Sequence, residues 1–251
     1  MPRFLLVGAF GIFCLLAEDR TFESVVESLA YGSGCSTSVA LQNLSDPTVI
    51  VEFEGHRGSG GLSPILNRSG NRVSLEPHER SEFRLDIEDE TDEAWVRLRE
   101  RIATVEQSPS VAISASIECV SGNQLRSVKR DVVFPMRNPW FSGDVSEMPG
   151  NVVSLVNASE APVHVRGCYS SGGLYSVGGG ELQPICNDAI DVQVPPFGSR
   201  RYPVSHNGNT HFSLKALGSR VVLEMMRAST GSRRVYAVDS SIKFGEEVSG
   251  K

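Results

Sequence analysis

Residues 39–51 read VALQNLSDPTVIV, and residues 153–165 read VSLVNASEAPVHV. The two segments align without a gap at an offset of 114 residues, and both keep the central Asn-x-Ser. Apolar residues alternate with other residues on both sides of Asn-x-Ser, which is the period of a half-buried strand. Asn and Ser side chains bond their own local backbone and so favour turns. Each segment therefore predicts a strand, a tight turn and a second strand.

The similarity continues downstream in the same order. The further matched segments are residues 59–62 with 171–174, 75–77 with 194–196, 83–85 with 202–204, and 111–115 with 221–225. A preserved order of matches indicates a tandem duplication. The alternation of apolar residues predicts six or seven short strands in roughly 100 residues of each half, which is typical of a β-sandwich. We therefore expect an all-β protein made of two tandem sandwich domains.

The predicted organisation has four parts along the 251 residues. They are a signal peptide at residues 1–17, a linker or short helix at 18–34, a first sandwich at 35–141, and a second sandwich at 142–251. Prolines and glycines between residues 135 and 149 interrupt regular structure, and so indicate the border between the halves. Trp140 and Phe141 lie in that border, and we expect them to pack between the domains; the alternative is an exposed aromatic anchor.

The N-terminus indicates export from the cytoplasm. Arg3 is followed by 14 apolar or small residues, Phe4 to Ala17, which is typical of a secretory signal peptide. The apolar stretch is shorter than the roughly 20 residues that a membrane-spanning helix needs. An uncleaved anchor is the alternative. We expect a secreted or cell-envelope protein with no membrane span after cleavage.

Cysteine usage agrees with export. Beyond the signal peptide the chain has four cysteines, an even number that favours disulfides in an oxidising compartment. Of the three pairings that four cysteines permit, the strand arrangement favours Cys35–Cys119 and Cys168–Cys186, with one bond in each half. Buried free thiols are the alternative. The absence of C-x-x-C spacing argues against zinc.

The second half carries further segments that, with its turn, resemble a known family. Residues 157–165 (NASEAPVHV), 194–198 (VPPFG) and 234–238 (RVYAV) resemble the immunoglobulin-like repeats of secreted bacterial proteins. The first half departs from this pattern at residues 47–48 and lacks the turn glycine after Pro77. The resemblance implies two tandem immunoglobulin-like β-sandwich domains with an extracellular structural or binding role. It implies no catalytic residues and no cofactor.

The charged residues limit the classes of binding partner that the sequence predicts. The formal net charge of −6 argues against a general nucleic-acid binder, which would have a basic excess. The basic pairs at residues 200–201 and 233–234 are expected to be ordinary surface arginines, with an anionic glycan or acidic partner as the alternative. We therefore expect the partner to be an extracellular protein or a glycan of unknown identity, and the oligomeric state stays open.

Three segments carry residue types that are found at catalytic or metal sites. Residues 86–93 (DIEDETDE) hold six acids, but they lack the glycine and spacing of a calcium loop, so a solvated loop is expected and a cation site is the alternative. The five histidines, including His56, are scattered and are expected to be exposed loop residues; His206 and His211 flank a predicted hairpin turn and give a second, weaker metal hypothesis. Residues 58–61 (GSGG) are expected to form a flexible hairpin loop, because the histidine and aspartate framework of a serine protease is missing.

The sequence thus favours a non-enzymatic secreted or surface-associated protein with a structural or adhesive role. The alternative is a carbohydrate- or ligand-binding accessory protein that uses the loops at one end of a sandwich. An enzyme, with acids of residues 86–93 as general acid and base, is the third class. Paired carboxylates need a fixed separation and shifted pKa values for such work, and a run of exposed acids provides neither.

Overall fold

The structure is a computed structural model, and its described residues are all strand, bridge, turn or loop. It describes residues 20–27, 31–32, 35–66, 68, 70–88, 93–102, 109–121, 124–130, 135–145, 151–170, 174–176, 182–184, 188–204, 210–218, 220–228, 236–238 and 243–246. No helix is present in these ranges, and consequently none that could cross a membrane. The predicted signal peptide at residues 1–17 lies outside them. The all-β prediction is confirmed.

The first unit consists of two antiparallel sheets. Its strands are β1 (Arg20–Val26), β2 (Tyr31–Gly32), β3 (Cys35–Asn43), β4 (Val49–His56), β5 (Arg72–Leu75), β6 (Arg80–Arg84), β7 (Trp95–Ile102), β8 (Val111–Ser121) and β9 (Gln124–Arg130). Sheet A has the order β1-β7-β4-β5. Sheet B has the order β6-β3-β8-β9, and the short β2 also pairs with β3.

The second unit also has two main sheets. Its strands are β10 (Pro139–Val145), β11 (Asn151–Asn157), β12 (Val163–Ser170), β13 (Leu174–Ser176), β14 (Leu182–Pro184), β15 (Asp188–Val194), β16 (Ser199–Val204), β17 (Thr210–Leu217), β18 (Val221–Ala228), β19 (Tyr236–Val238) and β20 (Lys243–Glu246). Sheet C has the order β15-β12-β17-β10-β20, and sheet D has the order β16-β11-β18-β19. Strands β13 and β14 form a separate two-stranded sheet.

Each unit buries one core between its two sheets. In the first unit, Val51 and Leu98 of sheet A lie in one buried cluster with Leu41 of sheet B. In the second unit, Val165 of sheet C and Leu155 of sheet D share another. The apolar residues that alternate along these strands therefore face the opposite sheet, as the period of two requires.

The two units have the same strand order. When the short β2 and the β13–β14 pair are left out, sheets A and C both join the first, sixth, third and fourth strands of their unit, and sheet C adds β20 at the edge. Sheets B and D both join the fifth, second, seventh and eighth. The two units thus share one strand order, and the duplication inferred from the repeated turn stays a prediction. Asn43 ends β3 and Asn157 ends β11, so the repeated segment occupies the same turn in both units.

The strand order differs from that of a seven-stranded immunoglobulin domain in three strands. Immunoglobulin domains put the first strand beside the second, the fourth beside the fifth and the seventh beside the sixth. In both units here the first strand pairs with the sixth, the fourth with the third and the seventh with the second. The pairings of second with fifth and of third with sixth are shared with immunoglobulin domains. A β-sandwich-like architecture is thus observed, with its outer strands exchanged between the sheets.

Two predicted boundaries are corrected by the strands. Residues 18–34 were expected to form a linker or short helix, but β1 and β2 lie there, and β1 pairs along its length with β7. The border predicted between residues 141 and 142 falls inside β10, which is the first strand of the second unit. The reason is the same in both cases. Each unit begins with a strand, β1 or β10, that precedes the repeated segment. The sequence match starts only at residues 39 and 153, inside the following strands β3 and β11.

Candidate functional site

The two units meet in a buried apolar cluster. Its fully buried members are Val25 and Trp95 from sheet A, together with Val156, Ala158 and Val222 from the second unit. Phe197, in the turn before β16, packs against this cluster. The second unit therefore packs against the outer face of sheet A.

An aromatic stack lies at the centre of this contact. His56 ends β4 and Trp95 begins β7, and the two are directly opposite in the antiparallel register. Their ring centroids are 4.2 Å apart at an interplanar angle of 14°, and the Phe197 ring lies 5.5 Å from His56 at the same angle. Trp95 Nε1 donates a hydrogen bond of 3.2 Å to the carbonyl oxygen of Phe197. Both units thus contribute a ring to the enclosure of His56.

Phe197 reaches the stack because its backbone is left-handed. Its φ is 51°, a conformation that bulky residues adopt rarely. His78 has a φ of 60° in the matching turn of the first unit, where it is exposed. Both turns close with a hydrogen bond of 3.0 Å, from Glu79 N to Glu76 O and from Gly198 N to Pro195 O. The duplicated turn is therefore reused in the second unit to present an aromatic ring to the first.

The loop at residues 58–61 packs against the Phe197 turn. Ser199 N donates a hydrogen bond of 3.0 Å to Gly58 O. Gly60 has a φ of 94°, and a methyl group at its Cβ position would overlap the carbonyl oxygen of Pro196. Glycine is thus required at this close approach. The predicted hairpin loop is present, because His56 and Leu62 form an antiparallel bridge across it, and the loop is also part of the contact between the units.

Glu93 connects the units through charge-assisted hydrogen bonds. Its Oε1 accepts 2.8 Å from the Arg201 backbone N, and its Oε2 lies 3.3 Å from Arg200 Nη1. Ser199 Oγ donates to the Glu93 carbonyl oxygen. Arg200 and Arg201 were expected to be ordinary surface arginines, but the structure assigns them to this contact. The second basic pair, at residues 233–234, lies outside the described residues.

A chain of ion pairs borders the stack on the outer face of sheet A. Arg97, of which 7% of the side chain is exposed, pairs with Glu54 and lies 4.0 Å from Glu23. Arg99 Nη2 lies 2.7 Å from Glu54 Oε2, and Arg220 of the second unit pairs with Glu23. The Arg97 guanidinium also lies 5.1 Å from the Phe197 ring centroid. These charges extend the contact beyond its apolar centre. We refer to the stack, Glu93 with Arg200 and Arg201, and this chain of ion pairs together as the inter-unit contact.

The enclosure of His56 changes its acidity. Burial lowers the pKa of His56 to about 4, because the charged ring loses its hydration, and the neighbouring Arg97 and Arg99 lower the pKa further. The Glu54 carboxylate, whose Oε1 lies 2.8 Å from His56 Nε2, opposes them and raises the pKa. His56 is therefore a neutral, buried side chain at pH 7. The default expectation of exposed loop histidines is wrong for His56.

The two ends of the acidic run have structural roles. Asp86 is 1% exposed and its Oδ1 accepts 2.9 Å from Thr37 N, while Glu93 binds the second unit as described above. A fully solvated loop was expected, so the expectation is wrong at these two residues. Residues 89–92 lie outside the described part of the chain. Within that part, no group of three or more metal-ligating side chains is found.

The cysteine and remaining aromatic predictions have mixed outcomes. Cys35 and Cys168 are disulfide-bonded, and Cys35 lies opposite Cys119 in the register of β3 and β8. The Cys119 side chain and all of Cys186 lie outside the described residues, so both pairings stay predictions. Trp140 is half-buried in β10, and the aromatic contact expected from it is made by Trp95 and Phe197. His206 and the His211 side chain also lie outside the described residues, and the metal hypothesis stays untested.

Comparison with known proteins adds no identity to this geometry. No protein-family model matches the chain, and the comparisons with curated proteins and with solved structures likewise gave no match.

Proposed function

We propose that this chain is a non-enzymatic, secreted or surface-associated protein with a structural or adhesive role. It is built from two β-sandwich units akin to immunoglobulin-like repeats. The observation that carries the proposal is the inter-unit contact, in which Trp95 and Phe197 enclose His56. Neighbouring units of one chain move relative to each other unless a substantial apolar contact joins them. A contact that holds two sandwiches in one fixed arrangement suits a protein that bears mechanical load or keeps two partners at a set distance.

Three chemically capable side chains, two at the contact and one within the first unit, support a non-catalytic role. The His56 side chain is 1% exposed, so a substrate in solution has no access to its ring nitrogens. Asp86 and Glu93 accept hydrogen bonds from backbone N–H groups. A general acid or base must be within hydrogen-bond reach of the proton that it transfers, and these groups are held by structural partners instead.

Export is part of the same proposal. The basic and apolar N-terminus and the even number of later cysteines support it. N-terminal sequencing of the protein recovered from the medium or envelope of expressing cells is expected to start after Ala17. Non-reducing peptide mapping is expected to recover Cys35–Cys119 and Cys168–Cys186. Protein retained in the cytoplasm with four free thiols would contradict this part of the proposal.

Attachment under flow tests the structural or adhesive role. Beads coated with the purified chain are passed over extracellular matrix and over cells of the source, and retention is compared for wild type, Phe197→Ala and Leu44→Ala. Phe197→Ala removes one ring of the stack, whereas Leu44 is 57% exposed and serves as the matched control. We expect wild type and Leu44→Ala to be retained and Phe197→Ala to be retained several-fold less.

Two other outcomes would overturn the role. Absence of retention together with specific binding on a glycan array, equal in wild type and Phe197→Ala, would favour the ligand-binding accessory protein. Turnover of a polysaccharide or peptide substrate by the wild type would show an enzyme.

A further inference from the structure

We propose that the inter-unit contact is pH-sensitive: it is closed while His56 is neutral and opens when the ring takes up a proton in mildly acidic surroundings. This inference concerns the contact itself and does not depend on the structural or adhesive role proposed above. It rests on the position of His56 between a ring of the first unit and a ring of the second.

The geometry leaves no room for a hydrated imidazolium in the closed arrangement. The ring centroids of Trp95 and Phe197 lie 4.2 Å and 5.5 Å from that of His56, and the His56 side chain is 1% exposed. Nδ1 of His56 has no hydrogen-bond partner in the part of the chain that the structure describes. A proton at Nδ1 would therefore leave a charged donor buried without a hydrogen-bond acceptor, which is costly.

The charges around this position only partly offset the loss of hydration, because Glu54 favours a proton on the ring while Arg97 and Arg99 oppose it. They come from β1, β4, β7, the segment before β7, and the second unit, and they are the carboxylates of Glu23, Glu54 and Glu93 with the guanidinium groups of Arg97, Arg99, Arg200 and Arg220. Glu54 is the carboxylate beside the ring, and it already pairs with Arg97 and Arg99. A proton on His56 would add a positive charge to a group of charges in which guanidinium groups already outnumber carboxylates.

Opening between the units is the smallest movement that hydrates the ring. The two sandwich cores consist of other residues and are buried within their own units. Withdrawal of the Phe197 turn from Trp95 would expose His56 while both cores stay packed. The contact is therefore expected to separate before either sandwich unfolds.

The sign of the pH effect follows from proton linkage. The pKa of His56 is about 4 when the contact is closed, and an exposed histidine has its ordinary value of 6.5. The open form therefore binds more protons between these values, and acid favours opening. The opening equilibrium constant is expected to rise about 20-fold between pH 7 and pH 5, and up to about 240-fold well below pH 4.

Trp95 fluorescence provides the first readout. Trp140→Phe makes Trp95 the sole tryptophan, since the chain has two. In this background the Trp95 emission is followed from pH 7.5 to 4.5, and small-angle X-ray scattering gives the radius of gyration at the same pH values. We expect a shift of the emission to longer wavelength together with a larger radius as the pH falls, while circular dichroism keeps its β signal.

Two histidine variants make the test specific. His56→Gln, made in the same background, is expected to abolish the pH dependence of both readouts. His78→Gln is the matched control, because the His78 side chain is 67% exposed, and it is expected to leave the dependence unchanged. Unchanged scattering down to pH 4.5 in the parent, or a transition that persists in His56→Gln, would overturn the proposal.

A second measurement remains available if His56→Gln does not fold. The ring protons of His56 are titrated by NMR in the parent protein. We expect His56 to titrate below the ordinary histidine value of 6.5, with its resonance change coinciding with the increase in radius. Titration of His56 near 6.5 while the radius stays constant would show that the ring is protonated in the closed form, and the proposal would be wrong.

Discussion

Asn43 and Asn157, which are 114 residues apart, make the same set of hydrogen bonds in the two units. Nδ2 of Asn43 lies 2.9–3.2 Å from the carbonyl oxygens of Pro47, Leu75 and Glu76. Nδ2 of Asn157 lies 2.8–3.3 Å from those of Ala161, Val194 and Pro195. Each Oδ1 accepts from the backbone N of the serine two residues on. One buried amide thus joins the repeated turn to the end of a strand in the opposite sheet.

Replacement of either amide is expected to destabilise its unit. Asn43→Ala and Asn157→Ala each leave one buried and two partly buried carbonyl oxygens without this donor, so we expect the free energy of unfolding to fall by about 2–4 kcal/mol for each. Urea unfolding followed by circular dichroism measures the change. Asn71→Ala is the control: this side chain is exposed, and a change within about 0.5 kcal/mol is expected. Equal stabilities of Asn43→Ala and Asn71→Ala would contradict the role given to the turn.

The sequence predicts the duplicated turn because its chemistry is local. The Asn-x-Ser signal and the alternating strands on both sides of it lie within 13 residues, and their repetition carries the topology of both units. The opening strands β1 and β10 precede that signal and have no repeated motif to mark them. Their pairing with the sixth strand of each unit is set by tertiary packing, which a local pattern does not contain.

The inter-unit contact is not predictable from the same patterns. His56, Trp95 and Phe197 are far apart in sequence, and each has an ordinary role when considered alone. Glu93 is one of six acids in a run, and nothing in that run distinguishes it from its neighbours. Its partner, the Arg201 backbone N, is 108 residues away. The sequence does contain one signal. In the matched turn the second unit has Phe-Gly where the first has His-Glu, and a phenylalanine in a turn indicates that the turn packs against something.

Alanine at Gly60 is expected to weaken the inter-unit contact. The new methyl group would overlap the Pro196 carbonyl oxygen, and the φ of 94° is strained for alanine. We expect a loss of about 2–4 kcal/mol in thermal or urea unfolding, with a larger radius of gyration at neutral pH.

Alanine at two other glycines separates the cost of the steric overlap from the cost of the backbone strain. Gly61→Ala is expected to be nearly neutral, since no atom of the described residues, its chain neighbours aside, lies within 4 Å of its Cβ position. Gly70 has a φ of 79° and likewise no described atom beyond its chain neighbours within that distance, so Gly70→Ala is expected to cost about 1 kcal/mol from backbone strain alone. If Gly60→Ala costs no more than Gly70→Ala, the close approach of the two units is not a source of stability.

Arg97 is expected to matter far more than Arg101 on the same strand. Arg97→Gln leaves the carboxylates of Glu54 and Glu23 without this partner, and we expect about 3 kcal/mol of destabilisation. Arg101 is 55% exposed in its pair with Glu52, so Arg101→Gln is expected to cost about 0.2–1 kcal/mol. Urea unfolding at pH 7 gives both values, and similar losses for the two variants would contradict the assignment of Arg97 to the contact.

The same substitution is expected to change the pH profile of stability. Arg97 lowers the pKa of His56, so its removal brings that pKa closer to the ordinary value of 6.5. The closed form then takes up a proton more readily, and the stability lost on acidification from pH 6.5 towards 4 becomes smaller in Arg97→Gln than in wild type. A steeper loss of stability in the variant would show that Arg97 raises the pKa of His56.

Calcium is expected to have no specific effect on the acidic run. Asp86 already accepts a hydrogen bond from the Thr37 backbone N, and Glu93 accepts one from the Arg201 backbone N. A calcium site would have to draw its oxygens from the remaining acids of residues 88–92, because recruiting either end of the run would break a bond that holds the fold.

An ion that binds only the folded form raises the melting temperature in proportion to the logarithm of its concentration. We therefore expect millimolar calcium chloride to shift the melting temperature no more than sodium chloride at equal ionic strength, since both act by screening. A calcium-specific rise of several degrees that is lost in the double variant Asp89→Asn, Asp92→Asn would establish a cation site, and the interpretation of the run as a mixture of structural and solvated acids would be wrong.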